Sequence, residues 1–145
     1  MTLVPFKYLN VLDGVITMCF IELEISFSSS EKHCIIINTE TIPFKSQGGL
    51  EAGFKHWNSS AKQALEIALE NFNPASKLHI KVNKLEGRLL LDTNNASIGI
   101  ACILGLKEYL SMETTSDEMK KMHQFVKDDW KNEPTIIPNF NNIFE

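Results

Sequence analysis

The sequence holds few of the residue patterns that announce a chemistry. Its three cysteines (Cys19, Cys34, Cys102) and four histidines (His33, His56, His79, His123) include no Cys-x-x-Cys and no His-x3-His pair, so no metal site is expected. The cysteines are odd in number, far apart and set in apolar runs. They read as small buried hydrophobes in a reducing compartment, not as a disulfide framework. Positive charge is also short: 14 Lys and Arg against 18 Asp and Glu leave a net charge of −4. That balance argues against nucleic acid and against an anionic membrane surface as partners. No apolar run is long enough for a bilayer, since Glu22 and Glu24 break Val15–Phe27 and the run Ile98–Leu110 is too short. With no signal-peptide pattern at the N-terminus, the expected location is cytoplasmic. Gly48-Gly49 with Gly53 is not followed by Gly-Lys-Ser/Thr, so no phosphate loop or other cofactor site is expected there.

What remains is an ordinary globular composition, 43% hydrophobic and 22% charged, in a chain the size of one domain. Residues 1–14 show no clear period. Ile21, Leu23, Ile25 and Phe27 alternate with Glu22, Glu24 and Ser26 as a half-buried strand, and His33–Thr39 returns after a polar turn. The two are expected to pair as an antiparallel hairpin, with Cys34 opposite about Ser26 and so away from Cys19. Pro43 and the glycines make Ile42–Phe54 a loop or a short edge strand.

A helix is expected from Asn58 or Ser59, with Ala61, Ala64, Leu65, Ala68, Leu69 and Phe72 on one face, ending at Asn73-Pro74. Leu78–Val82 alternates as a strand, Glu86-Gly87 reads as a turn, and Arg88–Leu91 as a second short strand. From about Ala96 to Leu110 follows a helix that is apolar on almost every side and belongs between other layers. Thr115-Ser-Asp-Glu118 fits a capping box that opens a last helix, striped by Met119, Met122, His123, Val126 and Trp130. Asp128-Asp129 reads as its solvated end. The expectation is one α/β (α+β) domain over residues 1–131, an antiparallel or mixed sheet covered by helices in the order β-β-α-β-β-α-α. Residues 132–145 then form an irregular tail.

This order resembles the proteolytic domain of Lon-type peptidases and, more broadly, the ribosomal protein S5 domain 2-like fold. In that domain a hairpin and a glycine-containing loop lead to a helix opening near a Ser-Ala pair. An Ile-His-Ile-His-Val strand follows, then a Lys-Asp-Gly-Pro-Ser-Ala-Gly turn carrying the nucleophile. The matching segments here are Val15–Thr39, Gly48-Gly49, Ser59-Ser-Ala61, Leu78-His-Ile-Lys-Val82 and Thr93-Asn-Asn-Ala-Ser97-Ile-Gly99. The resemblance implies that Ser97 stands at the nucleophile's position. It departs at the turn, where Asn95 and Ala96 replace Gly and Pro and Asn94 replaces the aspartate. It departs again at the base, since Phe140 stands at about the distance where the family has its lysine.

A serine nucleophile needs a base and an oxyanion hole. Lys107 lies about three helical turns beyond Ser97, on the order of 15 Å away. Lys77, Lys81, Lys84, Lys120, Lys121, Lys127 and Lys131 read as solvated charges, and His79 as a strand residue that faces water. Ser97 is equally a residue of the helix N-terminus that satisfies backbone groups. The residues placed at an interface are Trp57, Trp130, Ile136, Ile137 and Phe140. For each the alternative is the core, and for Trp57 it is a staple at the first helix's start.

The expected function is therefore a non-catalytic Lon-like domain acting as a protein-interaction, adaptor or assembly subunit, with a protein partner and a possible homo-oligomer. A serine peptidase using Ser97 with a base from elsewhere, and an acidic secretion-system chaperone, are the alternatives.

Overall fold

The computed structural model describes residues 1–41, 44–47 and 50–145. Thr2–Leu12 (β1) and Val15–Phe27 (β2) form a long antiparallel hairpin, in register from Leu12↔Val15 to Thr2↔Ile25. Its two-residue turn, Asp13-Gly14, has φ of 51° and 79°. Both values lie in the left-handed region that a primed hairpin turn requires. β1 was not visible as a strand in the sequence because it is apolar on both faces. Val4 and Tyr8 point into the core, whereas Leu3, Leu9 and Val11 point out and are exposed.

The expected hairpin between β2 and the next strand does not form. Cys34–Ile37 (β3) pairs instead with Leu78–Gly87 (β6), in parallel, and β6 lies between it and β2. His79 is thus flanked by Ser26 on one side and Cys34 on the other. A parallel neighbour needs a long crossover, and the first helix, Lys55–Phe72 (α1), lies on that connection. All three cysteines are free thiols.

Two short strands, Lys45–Gln47 (β4) and Leu50–Ala52 (β5), complete a six-stranded mixed sheet in the order β1-β2-β6-β5-β4, with β3 also beside β6. The expected loop or edge strand thus contains both; Pro43, Gly48 and Gly49 lie outside the described residues.

β6 runs straight through Glu86-Gly87, where a turn was expected, and Arg88–Leu91 is a turn where a strand was expected. The Arg88 carbonyl accepts from the N–H groups of Leu91, Asp92 and Thr93, each at 3.1 Å. The Arg88 guanidinium grips Asp92. Leu90 takes φ of 67°, and Leu90 and Leu91 stand in solvent. Gly87 is required there, because a Cβ at that position would fall 2.0 Å from Thr93 Oγ1.

α1 begins at Lys55, one turn earlier than expected, so His56 and Trp57 belong to its first turn. It ends as expected, with Asn73 in the left-handed region donating its N–H to the Leu69 carbonyl. Asn95–Tyr109 (α2) is buried at every position from Asn95 to Lys107. It packs on β1 and β2 below and on α1 beside it. Ser116–Asp129 (α3) carries the expected capping box of Thr115 and Glu118 and lies across α2. Helices cover one face of the sheet. Among the described residues no helix is long and apolar enough to cross a membrane.

The tail is not merely irregular. Phe140–Phe144 forms a 3-10 turn, and Phe140 is fully buried against Phe125, with ring centroids 5.5 Å apart. Its ring fills the space that Gly99 of α2 leaves open: a Cβ there would lie 2.1 Å from Phe140 Cζ and 3.0 Å from Ala64 Cβ. Replacing Gly99 with Ala should therefore destabilise the protein by about 1–3 kcal/mol in urea unfolding. The tail should also become more sensitive to protease, because the ring is what must move.

Candidate functional site

The turn Thr93–Asn94 and the first turn of α2 hold the residues that the resemblance matched to the peptidase nucleophile's turn. Asn94 caps α2, its Oδ1 accepting from the Ser97 N–H at 2.9 Å. Ser97 returns the bond: its Oγ accepts from the Asn94 N–H at 3.1 Å and donates to the Asn94 carbonyl at 2.7 Å. The hydroxyl proton is therefore directed at a backbone oxygen. The side chain is completely buried, and the Cys19 thiol donates to the Ser97 carbonyl at 3.4 Å. Burial pushes the Cys19 thiol up to about 12, so it sits there as a neutral group.

Two of the helix-start donors that an oxyanion or phosphate would use, the N–H groups of Ala96 and Ser97, are also engaged. The Ala96 N–H, in the first turn of α2, donates to Asp129 Oδ2 at 3.1 Å. Asp129 is the last residue of α3 and is 6% exposed, which corrects its reading as part of a solvated helix end. A carboxylate is unfavourable at the C-terminal end of its own helix and favourable at the N-terminal end of another. That mismatch is the signal in the sequence, shared with the exposed Asp128 beside it. Burial raises its carboxyl above the ordinary range, against the opposing bonds from Asn132 and Ala96.

The rest of the α3–tail segment closes over the same place. Asn94 Nδ2 donates to the Val126 carbonyl at 2.9 Å, and Asn95 Nδ2 to the carbonyls of Pro134 and Ile136 at 2.7 and 2.9 Å. Trp130 Nε1 donates to Thr17 Oγ1 at 2.9 Å. Two turns back along the same face of α3 the Tyr8 hydroxyl meets His123 Nδ1 at 2.7 Å.

None of the bases considered meets Ser97. Lys107 is buried near the other end of α2 and pairs with Glu118 at 3.3 Å. His79 lies on the sheet face opposite the helices, alternating with the buried Leu78, Ile80 and Val82. Lys81 pairs with Glu24, Lys127 with Asp13 and Lys131 with Asp128; Lys121 reaches the terminal residue, and Lys77, Lys84 and Lys120 are exposed. Among the described residues no group of three or more His, Cys, Asp or Glu side chains is placed to hold a metal ion. Of the residues placed at an interface, Trp57 and Phe140 are fully buried core residues. Ile136 is exposed, and Trp130 and Ile137 are half-buried beside it.

No family model matches the sequence, and no curated protein matches it. A mevalonate kinase crystal structure is similar in fold: TM-score 0.51 and 14% identity, over 92% of this chain and 48% of that one. The mevalonate kinase of Methanococcus jannaschii matches at a TM-score of 0.46 and 13% identity, over 99% of this chain and 51% of that one. A protein from Thermus thermophilus matches at 0.49 and 15%, over 73% of this chain and 15% of that one. The chain thus spans about half the length of the two kinases. At these identities the likeness is one of fold, and the fold is the S5 domain 2-like α+β arrangement with a mixed sheet.

Two outcomes are expected from this geometry. Ser97→Ala leaves the buried Asn94 N–H without its acceptor and should cost about 1–2 kcal/mol in chemical denaturation. Acid should also weaken the docking of α3. Burial lowers the folded-state pKa of His123 from its ordinary 6.5, and burial with Lys77 nearby does the same at His33. The unfolded chain then binds more protons in the window below 6.5, so stability is full above that pH and falls as pH drops through the folded-state values. Asp129, whose carboxyl is raised, contributes with the opposite sign. Unfolding midpoints measured across this window should fall with pH, and His123→Asn should flatten the slope.

Proposed function

We propose that this is a non-catalytic Lon-like domain that works as a protein-interaction, adaptor or assembly subunit. One observation carries the reading: the serine at the nucleophile's position is sealed in the core with its hydroxyl spent on the helix cap. A hydroxyl that donates to a backbone carbonyl has no base to take its proton, and no substrate carbonyl reaches a side chain with no exposed surface. The oxyanion site is filled as well, because the Ala96 N–H serves Asp129. Fold likeness to kinases does not by itself bring phosphoryl transfer, since function follows the site and not the fold.

The surface fits a binding role. Leu9, Val11 and Ile16 are exposed on the sheet face that no helix covers, and Leu90 and Leu91 project from the turn after β6. Exposed apolar groups in a contiguous patch mark contact surfaces. The chemistry expected of such a domain is recognition of another protein, with the location expected to be cytoplasmic. A secretion chaperone would share the size and charge, and is distinguished by a stable dimer that co-purifies with one extended client.

Wild type and Ser97→Ala should both fail to turn over unfolded casein and a mixed fluorogenic peptide pool, with and without host lysate. Turnover by the wild type that disappears in Ser97→Ala overturns the proposal and makes the domain a peptidase with a base from elsewhere.

A further inference from the structure

Three charged residues are buried among those the structure describes: Asp92, Lys107 and Asp129. Two have their counter-ions, Arg88 for Asp92 and Glu118 for Lys107. Asp129 has none. Its hydrogen bonds come from neutral groups, the Ala96 N–H at 3.1 Å and Asn132 Nδ2 at 3.2 Å. A buried carboxylate without a cation is the costly case, and each of its oxygens has room for a further donor.

Asp129 also lines a cavity of about 220 Å³ at the start of α2. Glu133, Asn95, Trp130, Leu89 and Leu90 share its wall, and no lysine, arginine or histidine does. Asn95 is 3% exposed, and its Oδ1 has no hydrogen-bond partner. The wall thus offers two carboxylates beside an indole and two leucine side chains.

We propose that this cavity is a recognition site for an aliphatic ammonium, the group carried by a lysine side chain of a partner protein. Asp129 and Glu133 hold the charge, and Leu89, Leu90 and Trp130 cover the methylene stem. The last contact is the usual one for the apolar stem of a lysine, and an indole also suits a cation. This deepens the interaction reading and rests on it, by naming the chemistry of the group that is bound. Free alkylamines share that chemistry and are the other source of the ligand.

The test titrates the full chain with n-butylammonium, with a lysine-containing peptide and with the same peptide acetylated on the lysine Nζ. It follows the indole N–H of Trp130 and the side-chain amide of Asn95 by NMR. Saturable shifts with both cationic probes, and none with the acetylated peptide, are expected. Tighter binding of the peptide assigns the site to a protein ligand, and equal binding to a free amine. Glu133→Gln, on an exposed residue outside the ion pairs, should weaken binding about two- to fivefold. Asp129→Asn keeps an oxygen for the Ala96 N–H and should abolish it, with the thermal midpoint checking that the fold survives.

Absence of saturation with either cation overturns the proposal, as does an equal response to the acetylated peptide. Casein turnover dependent on Ser97 would remove the non-catalytic reading and leave this titration to be judged by itself.

Discussion

The architecture follows from a helix with no polar side. α2 buries every residue from Asn95 to Lys107, so it must have a neighbour in each direction. The β1–β2 end of the sheet supplies the floor, α1 one wall, and α3 with the tail the roof. The small residues of α2 set how close these neighbours come. A Cβ at Gly105 would meet Ile21 and Leu23 at 3.4 Å, an ordinary contact, whereas Gly99 leaves the hollow into which Phe140 fits. The floor needs only one apolar face, which is why the helices crowd one side of the sheet.

The same burial decides the chemistry. A core helix cannot leave its first amides unmatched, and here the matching comes from two directions: Asn94 and Ser97 serve each other, and Asp129 of α3 serves Ala96. A site that binds anions must keep such donors free until the ligand arrives. Stability and catalysis compete for the same groups at this turn, and the chain has used them for stability. The cost falls on Asp129, which is taken out of water without a cation. The acidic cavity wall in the roof exists because the helix beneath it had to be capped.

Much of the fold was legible where one periodicity held. The stripes of α1 and α3, the capping box at Thr115 and the stop at Asn73 follow local rules, and the structure agrees with them. The misses share a cause in pairing at long range or burial on two sides. β1 has apolar residues on both faces, so alternation was hidden. The apolar triplet Leu89–Leu91 looked like a strand, yet Gly87, the Arg88–Asp92 pair and Thr93 bend it into a turn. β2 and β3 are neighbours in sequence, but β6 takes the place between them, and no local pattern records that. At the site, Ser97 and its turn were legible. Asp129 was not, because its partner lies on another helix and Asp128, at the same helix end, is exposed.

The insertion of β6 between β2 and β3 also bears on the order in which the chain can assemble. The hairpin of β1 and β2 needs only residues close in sequence, whereas Phe27 and Leu78, which begin the β2–β6 ladder, are about fifty residues apart. During synthesis the first two strands emerge with an apolar inner face and no third strand to extend them. Everything between β2 and β6, including α1, must leave the ribosome before the sheet closes. The roof comes later still, since Phe140 enters its hollow only after α3 has emerged. Until β6 emerges the nascent chain presents a two-stranded ribbon with apolar side chains on both faces, the stage at which a chaperone has most to hold.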